Sequence, residues 1–131
     1  MSMGYTIMVV DDSETIRSML ERTIGMTKLP VDGIIKAANG KEALEKLAGT
    51  WVDIVFTDIH MPVMSGIQLI EEMNKNAEFA DIPVIIVSTE GSTSRIAELQ
   101  QKGIKGYLRK PFTPEDIRDI IVKTLGGWDA Q

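Results

Sequence analysis

The sequence predicts an α/β fold, an open and doubly wound parallel sheet of five strands with five helices. Two observations carry that expectation. Five short runs rich in Val and Ile, several of them apolar on both faces, suit strands covered on both sides. Each run is followed by residues at helical spacing. Strict alternation with short connections implies right-handed crossovers and helices on both faces of one sheet.

The elements follow in order. Residues 5–10 (YTIMVV) lead to a helix marked by Ile16, Met19, Leu20 and Ile24. Residues 33–38 (GIIKAA) lead to one marked by Ala43, Leu44 and Leu47, after a slightly long gap at 25–33. Residues 53–58 (DIVFTD) precede Ile67, Ile70 and Met73. Residues 83–88 (PVIIVS) precede Ile96 and Leu99, a thinner apolar face. Residues 106–109 (GYLR) precede Ile117, Ile120, Ile121, Thr124 and Leu125. These spacings place apolar residues on one helical stripe. The last helix opens with Thr113 as N-cap, Pro114 at the first position and Asp116 at the third, and ends at Gly126 and Gly127. Five strands are too few to close a (β/α)₈ barrel. The flavodoxin-like strand order 2-1-3-4-5 is the best fit. No repeat or linker interrupts the chain, so residues 1–131 read as one domain with a core from about 5 to 125.

Composition narrows the function. A formal net charge of −5 speaks against direct nucleic-acid binding, which needs a basic patch. The absence of cysteine excludes disulfides and thiolate metal sites. No apolar run reaches membrane-span length, and the first residues show no export signal, so a cytoplasmic location is the default.

In a sheet of this order, ligands bind beyond the carboxyl ends of the strands, where the order reverses between strands 1 and 3. The first strand ends in Asp11 and Asp12, with no basic residue beside them in the sequence. The third ends in Asp58, the fourth in Ser88 and Thr89, the fifth in Lys110. Three converging carboxylates would repel, and one would have to keep a proton. A hard divalent cation removes that penalty. An all-oxygen donor set favours Mg²⁺, with Mn²⁺ as a substitute. Lys110 then has an anion to neutralise, and a neighbouring hydroxyl can hydrogen-bond the same anion. A phosphoryl group is the simplest such anion, and Asp58 the nucleophile to carry it.

Taken singly, each residue has a plainer reading. Asp12 and Ser13 can cap a helix, Asp58 can be a loop acid, Ser88 or Thr89 a turn hydroxyl, and Lys110 a solvated lysine. Tyr107 can be plain packing and His60 a solvent-facing histidine. Trp128 has two readings, packing back on the domain or meeting a partner.

The motifs VVDDS (9–13), FTDIHMPVMSG (56–66), PVIIVSTE (83–90) and KGIKGYLRKPF (102–112) together resemble the receiver domain of two-component response regulators, in its free-standing CheY-like form. The resemblance spans essentially the whole chain. It implies that Asp58 is the phosphoacceptor, charged from a phosphohistidine on a sensor histidine kinase. It implies Mg²⁺ held by Asp12, Asp58 and the backbone carbonyl of His60, with Asp11 acting through a bound water. Lys110 would pair with the phosphoryl oxygens, Ser88 would move to bond them, and Tyr107 would be the switch aromatic. His60, Thr89 and Glu90 occupy positions that tune phosphoryl lifetime. Thr89 stands where the family commonly has Ala or Gly, so it would crowd the site. A cis peptide is implied at Lys110-Pro111. The face of the fourth helix, fifth strand and fifth helix would signal to a target such as the flagellar motor switch, with a phosphatase as a further partner.

On this reading the chain is a phosphorylation-dependent switch and not an enzyme, its leading case chemotaxis; a phosphate sink or relay shuttle would look the same. The rival is a Mg²⁺-dependent phosphohydrolase with Asp58 as nucleophile. Such enzymes of the haloacid-dehalogenase type place a second Asp two residues after the nucleophile, and His60 stands there instead. An inert pseudo-receiver is the third reading, against which all five polar positions are filled.

Overall fold

A computed structural model describes residues 4–89 and 93–126. Five strands alternate with five helices: β1 (Tyr5–Val10), α1 (Glu14–Gly25), β2 (Val31–Ala37), α2 (Gly40–Leu47), β3 (Ile54–Thr57), α3 (Gly66–Asn74), β4 (Val84–Ser88), α4 (Thr93–Gln101), β5 (Gly106–Arg109) and α5 (Pro114–Leu125). The strands form one parallel sheet in the order β2-β1-β3-β4-β5, as the alternation predicts.

Period-two alternation sorts the central strands into two cores. On one face Met8, Val10, Val55 and Ile86 pack with Ala43, Leu47, Leu69, Ile70, Met73 and Leu99. On the other Ile7, Val9, Phe56, Ile85 and Val87 pack with Leu20, Ile24, Ile117 and Ile121. Burial on both faces is why β1, β3 and β4 read as continuous apolar runs. The edge strand β2 is only half buried.

Boundaries differ from the sequence expectation at three places. β2 begins two residues earlier, at Val31, and Asp32 is accommodated by a shift of register between Tyr5 and Thr6. β3 is shorter at both ends, because Asp53 and Asp58 turn their carboxylates to backbone N–H groups, of Thr6 at 2.7 Å and Ile59 at 2.7 Å. β4 starts at Val84, after Pro83, which has no N–H to give to a ladder. The thin apolar face expected of α4 is found: Leu99 enters the core, and Ile96 is half exposed. α5 carries the expected N-cap Thr113, a capping box with Asp116, and Gly126 at its end with φ 65°. Gly127 and Trp128 lie outside the described residues. No helix among the described residues is long and apolar enough to cross a membrane.

Candidate functional site

The strand order reverses at β1 and β3, and the polar residues gather beyond those two strands. Asp11 follows β1, Asp58 follows β3 and Lys110 follows β5. The Lys110 ammonium lies 3.5 Å from Asp58 Oδ2 and 3.7 Å from Asp11 Oδ2. Residues 99 positions apart in sequence are thus brought to ion-pair distance by the sheet alone.

The two adjacent aspartates have opposite surroundings. Asp11 is buried, with its side chain 4% exposed, and Asp12 is exposed. Burial raises the Asp11 carboxyl above its ordinary pKa; the Ser13 N–H and the Lys110 charge oppose the rise, and the charges of Asp58 and Asp12 add to it. Ser13 donates its N–H to Asp11 Oδ1 at 2.9 Å and then caps α1, its own Oγ accepting from Ile16 N. The capping reading therefore holds for Ser13 and not for Asp12. A base does stand beside these acids in space. Arg17, one turn into α1, donates from Nη1 to the Asp11 carbonyl at 2.6 Å. The signal was the i+6 spacing from the acid, which only a turn followed by a helix makes close.

Asp58 is held by its backbone. Its N–H donates to Val10 O at 3.1 Å, Oδ1 accepts from Ile59 N, and Oδ2 is left facing Lys110. The carbonyl accepts from Thr57 Oγ1 at 3.0 Å. Helix α3 starts against this carbonyl: a Cβ on Gly66 would lie 2.1 Å from it, so only glycine fits. Sequence reading quoted this glycine as part of a motif and missed the close approach. The intervening loop contains Val63 at φ 69°, and Met64 N–H donates to Pro62 O across it at 2.7 Å. His60 is exposed on the rim of the site and Ile59 before it is buried.

On the far side, Ser88 is buried at 3% exposure and its carbonyl accepts from Lys110 N at 2.9 Å, which ties the ends of β4 and β5 together. Thr89 is exposed. The Lys110-Pro111 peptide is cis, as the resemblance implies. Tyr107 packs against the core on the side of α2, α3 and α4, and its hydroxyl is buried with no hydrogen-bond partner among the described residues. Glu90 lies outside the described residues.

These donors suit a hard cation that keeps most of its water. Among the described residues no group of three carboxylate or imidazole side chains forms a ready cage. The site offers instead a buried carboxylate whose charge is penalised by desolvation, with two more acidic groups close enough to raise it further. Mg²⁺ uses one or two carboxylates plus waters and phosphate oxygens, so oxygen donors in this number fit it, and no softer metal is favoured.

Comparison with known proteins agrees with the geometry. The sequence profile of the response regulator receiver domain matches residues 7–122. Chemotaxis protein CheY1 of Helicobacter pylori is 33% identical over 121 residues, covering 92% of this chain and 96% of the relative. The structure of the Vibrio cholerae chemotaxis response regulator CheY4 superposes with a TM-score of 0.80 at 30% identity, covering 92% of this chain and 98% of that one. The receiver domain of the Pseudomonas aeruginosa sensor histidine kinase PA1611, solved with a magnesium ion coordinated in its active-site cleft, shares the fold with a TM-score of 0.83 at 20% identity, over 95% and 99% of the two chains.

Proposed function

The chain belongs to the response regulator receiver domains, CheY-like signalling modules of two-component systems rather than enzymes, and on that premise we propose that it is a phosphorylation-dependent switch with Asp58 as phosphoacceptor. The observation that carries the proposal is the Lys110 ammonium set between Asp58 and Asp11, a cation already in place for an anion built on Asp58. Asp58 Oδ2, the oxygen facing Lys110, attacks the phosphorus of a phosphohistidine on a sensor kinase. The P–N bond breaks, the imidazole leaves with a proton, and an acyl phosphate remains on Asp58.

Asp12, Asp58 and the His60 carbonyl are proposed to hold Mg²⁺, with Asp11 acting through a water. Bound there, it would neutralise the charge that crowds the acids and the incoming phosphoryl oxygens. The magnesium in the Pseudomonas aeruginosa relative supports that choice. Lys110 pairs with the phosphoryl oxygens, and the Ser88 hydroxyl moves to meet them. Tyr107 follows, so that phosphorylation biases a two-state equilibrium by the contacts that differ between the states. Exposed Thr89 crowds the entrance and slows transfer or hydrolysis.

The output is proposed to be of the chemotaxis type, read by a target such as the flagellar motor switch on the face of α4, β5 and α5. Chemotaxis protein CheY1 at 33% identity supports this. A groove on that face is lined by Tyr107, Arg109, Ile120 and Lys123, so a change at Tyr107 is felt there directly.

Intact mass after incubation with acetyl phosphate, with and without Mg²⁺, tests the chemistry. One Mg²⁺-dependent phosphoryl increment is expected, absent in Asp58→Asn. A Thr89→Ala arm separates a closed entrance from a wrong reading. Failure of both wild type and Thr89→Ala to label, from acetyl phosphate and from a phosphorylated histidine kinase alike, removes Asp58 as acceptor.

A further inference from the structure

Arg17 has no task in building α1. The helix is capped by Ser13, and the Arg17 amide already donates to Ser13 O at 3.0 Å. Its guanidinium nevertheless turns back over the turn to the Asp11 carbonyl, at 2.6 Å and partly buried. The remaining polar atoms of Asp11 are engaged elsewhere. Its N–H donates to Ala37 O at 3.1 Å, Oδ1 accepts from Ser13 N, and Oδ2 faces Lys110.

The Asp11 carbonyl and the Asp12 N–H belong to one planar peptide unit. Whatever fixes that carbonyl fixes the plane from which Asp12 departs. Asp12 itself is exposed, and its carboxylate has no hydrogen bond or ion pair among the described residues. Nothing in its own contacts sets its direction. We propose that Arg17 is a positioning residue for Asp12: by clamping the Asp11 carbonyl it holds the Asp11–Asp12 peptide plane and so aims the exposed carboxylate into the cation site. This rests on the reading of Asp12 as a cation ligand. The clamp also reaches the neighbouring loop. Glu42 lies below the usual carboxylate range, chiefly through its bond to Lys46, and Arg17 contributes to the same lowering. Glu42 in turn accepts from Ala38 N at 3.2 Å, next to the Ala37 that receives the Asp11 N–H.

Charge and position predict opposite signs. Arg17 is a cation near a cation site, so removing its charge alone would tighten Mg²⁺ binding. Removing the clamp weakens it, on the order of tenfold for a group that orients a metal ligand. The experiment is calorimetric titration of the full chain with MgCl₂, far below the melting temperature, for wild type, Arg17→Met, Arg17→Lys and Asp12→Ala. Melting curves in EDTA run alongside, because a merely structural role would move the melting temperature and leave Mg²⁺ affinity alone. Arg17→Met should bind Mg²⁺ about tenfold more weakly, on the order expected for such a group. Arg17→Lys should fall between it and wild type, and carries the test if the methionine variant fails to fold. Wild-type or tighter affinity in both Arg17 variants overturns the proposal, and loss of binding in Asp12→Ala would show that the ligand reading survives it. Wild-type affinity in Asp12→Ala overturns both.

Discussion

Two connections deliver acids to the same edge of the sheet by opposite means. The turn after β1 is tight: Asp11 is buried, both its main-chain polar atoms and its carboxylate are engaged, and α1 starts within three residues. The loop after β3 is anchored near its ends and by Met64, whose carbonyl accepts from Gly40 N at 3.0 Å, while its tip stays open to solvent. Asp58 is held by Val10 and Ile59 at one end, Gly66 and the Ser65 capping box close the other, and between them Pro62 and Val63 are exposed. Fixed geometry is spent where charge is held away from water, and looseness is left where a phosphodonor has to approach Asp58.

The largest effect should come from the point where the loose loop is pinned. Gly66→Ala sets a methyl group against the Asp58 carbonyl, and neither partner is the end of a flexible side chain. A cost of about 3 kcal/mol is expected in urea unfolding. A loss under about 1 kcal/mol, at the low end for overpacking, would show that the start of α3 shifts freely and that the contrast between the two connections is overdrawn.

Next comes the charge in the tight turn. Asp11 keeps its proton more readily folded than unfolded, since burial raises it above the ordinary 3.8. The folded state therefore binds more protons between pH 3.8 and the raised value. The stability this group contributes is complete below that window and lost as pH rises through it. In EDTA, Asp11→Asn should melt higher than wild type at pH 7, and the difference should close as pH falls below the window. Lys110 keeps Asp58 as a counter-charge in this variant. An Asp11→Asn protein that melts lower at pH 7 would show that the Lys110 contact outweighs desolvation. Ser13→Ala follows, costing about 1 kcal/mol as an ordinary N-cap loss. If the turn is as interlocked as its bonds indicate, it should also weaken Mg²⁺ binding, whereas Ser65→Ala at the other helix should not.

The fold was legible because it rests on repeated patterns. Apolar runs such as residues 83–88 and the stripe Ile117, Ile120, Ile121 state their own burial, and alternation then leaves few topologies. The convergence of Asp11, Asp58 and Lys110 was legible once the strand order was in hand, because strand ends are fixed by topology rather than by side-chain detail. Three features were not. The Arg17 bond depends on how a turn redirects a helix, the Gly66 contact on how closely α3 approaches β3, and the left-handed Val63 on a loop whose sequence contains no residue that asks for it. Each is set by the distance between elements, about which a linear pattern carries no information.

Val63 offers the smallest and most specific test. A β-branched side chain at φ 69° is disfavoured, and at 74% exposure this one has little packing to compensate. The left-handed region costs an ordinary residue roughly 1–2 kcal/mol, and Asn tolerates it through local hydrogen bonding. Val63→Asn should therefore stabilise the protein by about 1 kcal/mol. Val63→Gly removes the same strain but gives the unfolded chain more freedom, offsetting roughly 0.5–1 kcal/mol of the gain. The expected order of stability is Asn above Gly above Val, read from urea midpoints at constant slope. Because Asp58 is held to Val10, and Ile59 and Met64 on either side of the tip are held to Gly66 and Gly40, neither variant should change Mg²⁺ affinity. Should Val63→Asn prove less stable than wild type, the valine side chain must be held by contacts its exposure does not reveal, and the loop would have to be counted with the tight turn rather than against it.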